Sequence, residues 1–442
     1  MQKPLFSDNT RYAAIGDSIT HNGWYLPYVD LYCLTRFPSQ KTDIFNCGIN
    51  GDTADGATRR HAWDIAPHQP TVASVMFGMN DVGRELYENR KSGDDVKKER
   101  LVRIANYERN LRELVCVLQR AKTRVMVILP TIFDDTAQSN SPHYPGLDKA
   151  LGAYAARAKQ VADEMSCTTI DFHGPMQKLT LEQQARDPAF SLIEPDRTHP
   201  TMQGQFFMAY LFLKTLGAPA EIAKVSIDRE GKVRQSTNCQ ITHIKKRRKG
   251  LTFRYSANAL PFPLKPIEQW TDASTTWLPF ANDLNREFFQ ITDLPTGIYQ
   301  LTIDKQPIRT YTAAELHAGI NLAVENNTPQ AHQSHAVWKV YAKRQALVFK
   351  LRTIACVERA AFAPDHPRPT TVKKIEPLLA AYLKREVGTP WEKAIAEEVA
   401  AYRKFKGDET EMRVSVDSML ENIRALTLPE PREVTLNLVA AL

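Results

Sequence analysis

The sequence predicts an α/β protein whose first half is a three-layer αβα unit on a mainly parallel five-stranded sheet, followed by a β-rich region and then an α-helical C-terminal region. Three observations predict it. From Arg11 to about Leu216, short and continuously apolar runs alternate with longer segments of helical periodicity, the pattern of a sheet with helices on both faces. After Gly217-Ala218-Pro219 the texture changes to hairpin-like strands, and from about Thr328 helical periodicity returns. A chain of 442 residues exceeds the usual size of one compact domain, so the expected division is 1–217, 218–327 and 328–442.

In the first unit the expected strands are 12–15, 42–46, 72–77, 124–129 and 168–171. Each is short and apolar throughout, as a strand buried on both faces should be. Expected helices lie at about 24–36, 53–65, 95–121, 146–165 and 202–216. The middle region offers strands at 223–227, 232–234, 239–244, 251–255 and 299–303, with turns at Arg229-Glu230-Gly231 and Pro295-Thr296-Gly297. These read as a small antiparallel sheet or sandwich. Amphipathic helices follow at 336–358, 375–385, 391–405 and 412–426, expected to pack on the middle sheet. A strand-like segment at 433–438 would pair back onto that sheet.

Hydrophobic content of 43% and charged content of 24% are ordinary for a globular chain. No apolar run approaches the roughly 20 residues that cross a bilayer, which excludes a membrane span. The net charge of +7 serves solubility or favours an acidic glycan. Its densest run, Lys245-Lys246-Arg247-Arg248-Lys249, sits between strand-like segments and is followed by Gly250. It reads as a solvated hairpin turn, and no aromatic residue is interleaved as a nucleic-acid surface would require. The six cysteines are scattered, without a C-x-x-C pair or a histidine at metal-site spacing, so no metal is expected. Cys116, inside the run 114–118, is expected to be a small buried hydrophobe. Residues Met1 to Phe6 lack the apolar core of a signal peptide. Either the protein is cytoplasmic, or a leader is removed upstream of this sequence.

Gly16-Asp17-Ser18 follows the first strand and precedes a helical segment, so Ser18 belongs at the carboxyl end of a strand, where open α/β sheets bind ligands. A helix beginning after Ser18 would turn backbone N–H groups and its positive end towards a developing oxyanion. By itself the tripeptide equally suits a helix N-cap. A serine hydroxyl is a poor nucleophile until a base, usually a histidine oriented by a carboxylate, takes its proton. Asp196-Arg197-Thr198-His199-Pro200 supplies both groups just before the helix that closes this region. Gly51, after the second strand, can present an unobstructed N–H, and Asn80, after the third, an uncharged amide donor. Each of these segments also reads as a loop turn; with Ser18 they make three donors. There is no G-x-S-x-G elbow, no phosphate-binding G-x-x-x-x-G-K-[ST] and no H-E-x-x-H.

The order Ser18, Gly51, Asn80, Asp196, His199, carried by G-D-S-I-T, G-x-N-D and D-x-x-H, resembles the four blocks of the GDSL/SGNH hydrolase superfamily over roughly residues 10–216. The resemblance implies a flavodoxin-like SGNH domain and an ester hydrolase that works through an acyl-Ser18 intermediate without metal or organic cofactor. It implies His199 as general base, Asp196 as its orienter, and the Ser18 N–H, Gly51 N–H and Asn80 amide as the oxyanion hole.

The ester is read from local features. His21-Asn22-Gly23-Trp24-Tyr25 puts polar and aromatic groups after Ser18, where a lipid site should be more uniformly apolar. Trp24 either stacks on a sugar ring or packs the first helix on the sheet. Arg59, Arg60 and Arg84 either meet a glycan carboxylate or are solvated surface. The segments 294–304, 311–316 and 319–323 are similar to C-terminal extensions of bacterial SGNH proteins linked to polysaccharide breakdown. The expectation is therefore a periplasmic or secreted esterase acting on an acylated carbohydrate or other small ester. A lipase or thioesterase, or a non-catalytic glycan-binding protein, are the alternatives. Nothing in the sequence bears on oligomeric state.

Overall fold

The computed structural model describes residues 5–264, 277–362 and 372–441; residues 1–4 of the N-terminal segment considered above lie outside these. The first unit is built on five parallel strands: β1 (Thr10–Gly16), β2 (Thr42–Gly48), β3 (Val72–Met76), β4 (Arg124–Leu129) and β5 (Thr168–Asp171). Their order is β2-β1-β3-β4-β5. The order reverses at β1, and such a reversal opens a crevice beyond the carboxyl ends of β1 and β3. β3 is buried at every residue, which is why its sequence is apolar rather than alternating.

Helices cover both faces: α1 (Ser18–His21), α2 (Tyr25–Arg36), α3 (Ala54–Arg60), α4 (Asp94–Arg120), α5 (Leu147–Glu164), α6 (His173–Gln184) and α7 (Met202–Thr215). α4 buries Tyr107, Leu111, Leu114, Val115 and Leu118, an apolar stripe at helical spacing. Cys116 lies beside that stripe and is only half-buried, so it is not the buried hydrophobe expected. The helix expected over 53–65 ends at Arg60 and continues as a π turn (His61–Ile65) and a 3-10 turn (Ala66–His68). α2 is buried at all of its residues, so it must be covered on the side away from the sheet as well.

The middle region holds two sheets. One contains β6 (Glu221–Asp228), β7 (Val233–Thr237), β10 (Arg286–Thr292) and β13 (Ile320–Asn321) in the order β13-β10-β6-β7. The other contains β8 (Cys239–Arg247), β9 (Gly250–Ala257), β11 (Gly297–Ile303), β12 (Gln306–Thr312) and β14 (Arg432–Ala441) in the order β12-β11-β14-β9-β8. Val225, Ile227, Phe253, Phe289, Leu301 and Leu436 are part of their common core. The region is not purely antiparallel, because β6 and β10 run parallel; the long stretch of chain between them makes the necessary crossover. β14 pairs antiparallel with both β9 and β11, so the expected closure by the last strand is present, at the centre of the sheet. The basic run is exposed at the β8–β9 hairpin.

The C-terminal helices are α8 (Pro329–Ala361), α9 (Val372–Glu386), α10 (Glu392–Lys406) and α11 (Glu409–Leu426). Thr328 caps α8 by accepting from the Ala331 N–H at 3.2 Å, and Pro329 occupies the first turn. These helices pack mainly on the first unit and on each other, not on the middle sheet as expected. α8 has 33 residues and is therefore about 50 Å long. Its first turn touches β10 through Gln330 and Glu287, and its remaining length runs over the first unit. Val337 and Tyr341 of α8 and Leu420 and Ile423 of α11 join the first unit's core. Ile354, Val357, Leu379, Val399 and Tyr402 form a separate helical core. α8 is the cover that α2 requires.

Candidate active site

Ser18 begins α1 directly after β1, and Asp17 caps it, accepting the Ile19 N–H on Oδ1 at 2.9 Å. The Thr20 and His21 N–H groups bond the Asp17 carbonyl. The helix thus starts at Ser18 rather than after it and lasts one turn. Its contribution to an oxyanion reduces to the Ser18 N–H, because a single turn carries little macrodipole.

His199 arrives on the loop before α7. Its Nε2 lies 2.8 Å from Ser18 Oγ, and its Nδ1 lies 2.5 Å from Asp196 Oδ2. The second Asp196 oxygen accepts the N–H groups of Thr198 and His199, each at 2.9 Å. Burial raises the Asp196 carboxyl, but the hydrogen bonds from the imidazole and from these two N–H groups outweigh it and hold the group at about 2. Between Asp196 and His199 the chain turns through Arg197 at φ +64°, a left-handed conformation uncommon for any residue with a Cβ and disfavoured for a bulky one. The Arg197 guanidinium holds that turn by donating to the carbonyls of Asp134 and Ser139, both at 3.0 Å.

Gly51 follows β2 with φ +68°, and a side chain there would meet nothing within 4 Å. Asn80 follows β3, and its amide donates one hydrogen to the Asp52 carbonyl at 2.9 Å. Ser18, Gly51 and Asn80 therefore stand at the carboxyl ends of three adjacent strands. Asp81 accepts the Ala54 and Gly78 N–H groups. Burial pushes Asp81 up to about 7 and Asp17 up to about 6.

A pocket of about 340 Å³ opens at Ser18, lined by Asn22, Trp24, Glu194, His199 and Gln205 among others. Asn22 and Trp24 thus face it, as expected of the segment after Ser18. His21 does not: it is buried against the Gly48 carbonyl, and burial lowers its imidazole to about 4. Trp24 lines the pocket, and its ring packs against Trp338 and Phe349 of α8. Arg84 donates to Thr198 Oγ1 at 3.2 Å, which ties it to the His199 loop. Arg59 is exposed and pairs with Asp55. Arg60 is not solvated surface: it is 1% exposed and bonds Asp52, Asp64 and the Cys47 carbonyl. Glu194 and Gln205 escape a reading of the sequence because no motif frames them; Glu194 reaches the pocket on the loop that carries His199 and Gln205 from α7.

The model of the GDSL-like Lipase/Acylhydrolase family matches residues 14–205. That segment is similar to GDSL-like acylhydrolases. A curated acetylxylan esterase of Geobacillus stearothermophilus is 25% identical over 218 residues, covering 46% of this chain and 92% of that protein. Among solved structures, a gut microbial diltiazem-metabolizing enzyme is 28% identical over 99% of both chains, with a TM-score of 0.87. A catalytic mutant of Axe2, an acetylxylan esterase from Geobacillus stearothermophilus, is 22% identical over 49% of this chain and 97% of that one, with a TM-score of 0.40. The β-rich and helical regions are thus shared with the full-length neighbour as well as the segment that the family model matches.

In the matched segment the end of β2, the loop after it and the turn after α3 are gripped from the C-terminal helices. Arg352 of α8 donates to the Gly48 carbonyl at 2.9 Å and forms a two-pronged pair with Asp64 at 2.7 and 3.0 Å. Arg359 of α8 donates to Asp52 at 2.8 Å, and Asn50 donates to Glu398 of α10 at 2.9 Å. None of these partners was accessible to motif reading, since roughly 300 residues separate the two sides of each contact. No described helix is long and apolar enough to cross a membrane.

Proposed function

We propose that this protein hydrolyses short acyl esters, chiefly acetyl esters of carbohydrates, through an acyl-Ser18 intermediate. The observation that carries the reading is the line from Ser18 Oγ to His199 Nε2 at 2.8 Å and from His199 Nδ1 to Asp196. His199 Nε2 takes the hydroxyl proton as Ser18 Oγ attacks the ester carbonyl, and the ionised Asp196 holds the Nδ1 hydrogen and the ring's orientation. The Ser18 N–H, the Gly51 N–H and the Asn80 amide receive the negative charge on the carbonyl oxygen. The alcohol leaves with the proton from His199. Water, deprotonated by His199, then releases the acid from Ser18. The chemistry needs no metal or organic cofactor.

A sugar acceptor is supported by the polar pocket wall of Asn22, Glu194 and Gln205 beside the Trp24 ring, and by the similarity to an acetylxylan esterase. Arg84, next to the His199 loop, is the cation that would meet an acidic substituent. A polysaccharide substrate would place the enzyme in the periplasm or outside the cell, which fractionation of the producing cells tests. The full-length neighbour favours a second reading, a small-molecule ester, because it is a diltiazem-metabolizing enzyme.

The test is acetate release from a panel of acetylated polysaccharides, acetylated oligosaccharides and diltiazem, by the parent and by Ser18→Ala, alongside an ester series of rising chain length. The expected result is a preference for acetate that is lost in Ser18→Ala. Activity that climbs with acyl length would replace this reading with a lipase or thioesterase. A Ser18→Ala protein that hydrolyses at the parent rate would overturn the mechanism, and glycan binding without hydrolysis would make the protein a binding module.

A further inference from the structure

We infer that Arg359, reaching from α8, is a positioning residue of the oxyanion site: it fixes Asp52, and through Asp52 both the Gly51 N–H and the Asn80 amide. The inference rests on the proposed Ser18 mechanism and extends it to a residue far outside the family match. Asp52 is fully buried, and its carboxylate is divided between two guanidinium groups. Oδ1 accepts from Arg359 at 2.8 Å, and Oδ2 accepts from Arg60 at 2.7 Å. The backbone on either side of that carboxylate does the work at the site. Gly51 is the preceding residue, so its N–H is set by the same turn, while the Asp52 carbonyl accepts the Asn80 amide at 2.9 Å. The residue between the two non-serine donors is therefore the one the C-terminal helix holds.

The fit around this contact is close. A Cβ at Gly56 would lie 1.9 Å from Asp52 Oδ1 and 2.9 Å from the Arg359 guanidinium, so the carboxylate and its partner occupy the space a side chain would take. The neighbouring contacts from α8 and α10 secure the rest of the same loop. Arg352 holds the Gly48 carbonyl, and its partner Asp64 also pairs with Arg60. Glu398 accepts from Asn50, which in turn accepts from Asn22 on the pocket wall. Arg359 is the member suited to a test, because its side chain is 32% exposed and Arg60 remains to neutralise Asp52 when it is removed. It touches neither Ser18 nor the pocket, so its effect on the reaction must pass through Asp52.

The experiment is a double-mutant cycle between Arg359→Met and Asn80→Ala in the full chain, read as kcat and KM on a small acetyl ester. Arg359→Met is expected to lower kcat by about 10- to 100-fold, less than the roughly 100- to 1,000-fold for loss of a donor, with KM changed less than about threefold. In the Asn80→Ala background the same substitution should cost at least about threefold less in kcat than in the parent, because the part of its effect that passes through the Asn80 amide is already lost and only the part through the Gly51 N–H remains. Arg359→Lys, which keeps the charge and loses the planar fork, should recover part of the loss. If Arg359→Met fails to fold, Arg359→Lys carries the same cycle with a smaller effect of the same non-additive kind. Losses that multiply independently, or a parent kcat in the Arg359 variant while Ser18→Ala is inactive, would overturn the inference. Hydrolysis by Ser18→Ala at the parent rate would instead overturn the underlying mechanism, which keeps the two failures distinct.

Discussion

Asp196 keeps its charge against the tendency of its surroundings. Burial favours the neutral acid, yet the imidazole and two backbone N–H groups hold its carboxyl at about 2, so it is ionised wherever His199 has a proton to share. In Asp196→Asn the amide can present a hydrogen to Nδ1 and so stabilise the wrong tautomer. The expected result is a fall in kcat of roughly 1,000- to 10,000-fold with little change in KM, measured on an acetyl ester; a fall below tenfold would remove Asp196 from the mechanism. Asp81 poses the opposite problem. Burial raises it to about 7, so the folded state keeps a proton that the unfolded chain releases between about pH 4 and 7. Folding stability therefore falls as pH rises through that window, by up to about 1.4 kcal/mol per pH unit for each such group. Asp17, raised to about 6, adds to the slope at the lower end. Asp81→Asn should flatten the slope between pH 6 and 7 in urea unfolding at stepped pH, and an unchanged slope would show that Asp81 is not its source.

The elements of the first unit were legible because each announces itself over a short stretch. β3 and β4 are unbroken apolar runs, and α5 repeats Leu147, Leu151, Tyr154, Ala155 and Ala158 at helical spacing. Ser18 and the Asp196–His199 pair were legible for the same reason, since a carboxylate three residues from an imidazole is a local pattern. α6 was not, because its buried face mixes His173 and Thr180 with Met176 and Leu179 and gives only a brief apolar stripe. α2 was located correctly, but its surroundings were not, because nothing local says what covers a helix that is buried all round. The structure supplies the answer at Asp30, which accepts from Tyr341 of α8 at 2.8 Å with Arg344 at 3.7 Å. Burial raises the Asp30 carboxyl, so the tyrosine hydroxyl is a donor it cannot easily replace. Tyr341→Phe should lower stability by about 1–3 kcal/mol, the cost of leaving a buried acceptor short of a partner. Chemical denaturation of the two proteins measures it, and parent-like stability would mean that α8 does not anchor α2 through this bond.

At the scale of the whole molecule, contacts cross the limits expected at 217 and 327. β14 comes from the last stretch of chain and sits at the centre of a middle sheet. Arg352 and Arg359 supply partners to Asp64 and Asp52, which are buried within the matched segment. The acetylxylan esterase that matches over 218 residues is covered to 92% of its length. Here the same segment has delegated part of its charge balance to a helix more than 100 residues further on. A protein ending at residue 217 would expose the outer face of α2 and leave Asp30 without Tyr341 and Arg344. It would also leave Asp64 with Arg60 alone, and uncompensated buried charges are strongly destabilising, by about 3–5 kcal/mol where a buried pair is broken. That is comparable with the roughly 5–15 kcal/mol holding a typical domain together. The expected outcome is that residues 1–217 expressed alone are insoluble or melt far below the full chain and do not hydrolyse acetyl esters. A soluble, cooperatively melting fragment with parent kcat would mean that the C-terminal helices are an attachment to a self-sufficient enzyme rather than part of its active-site scaffold.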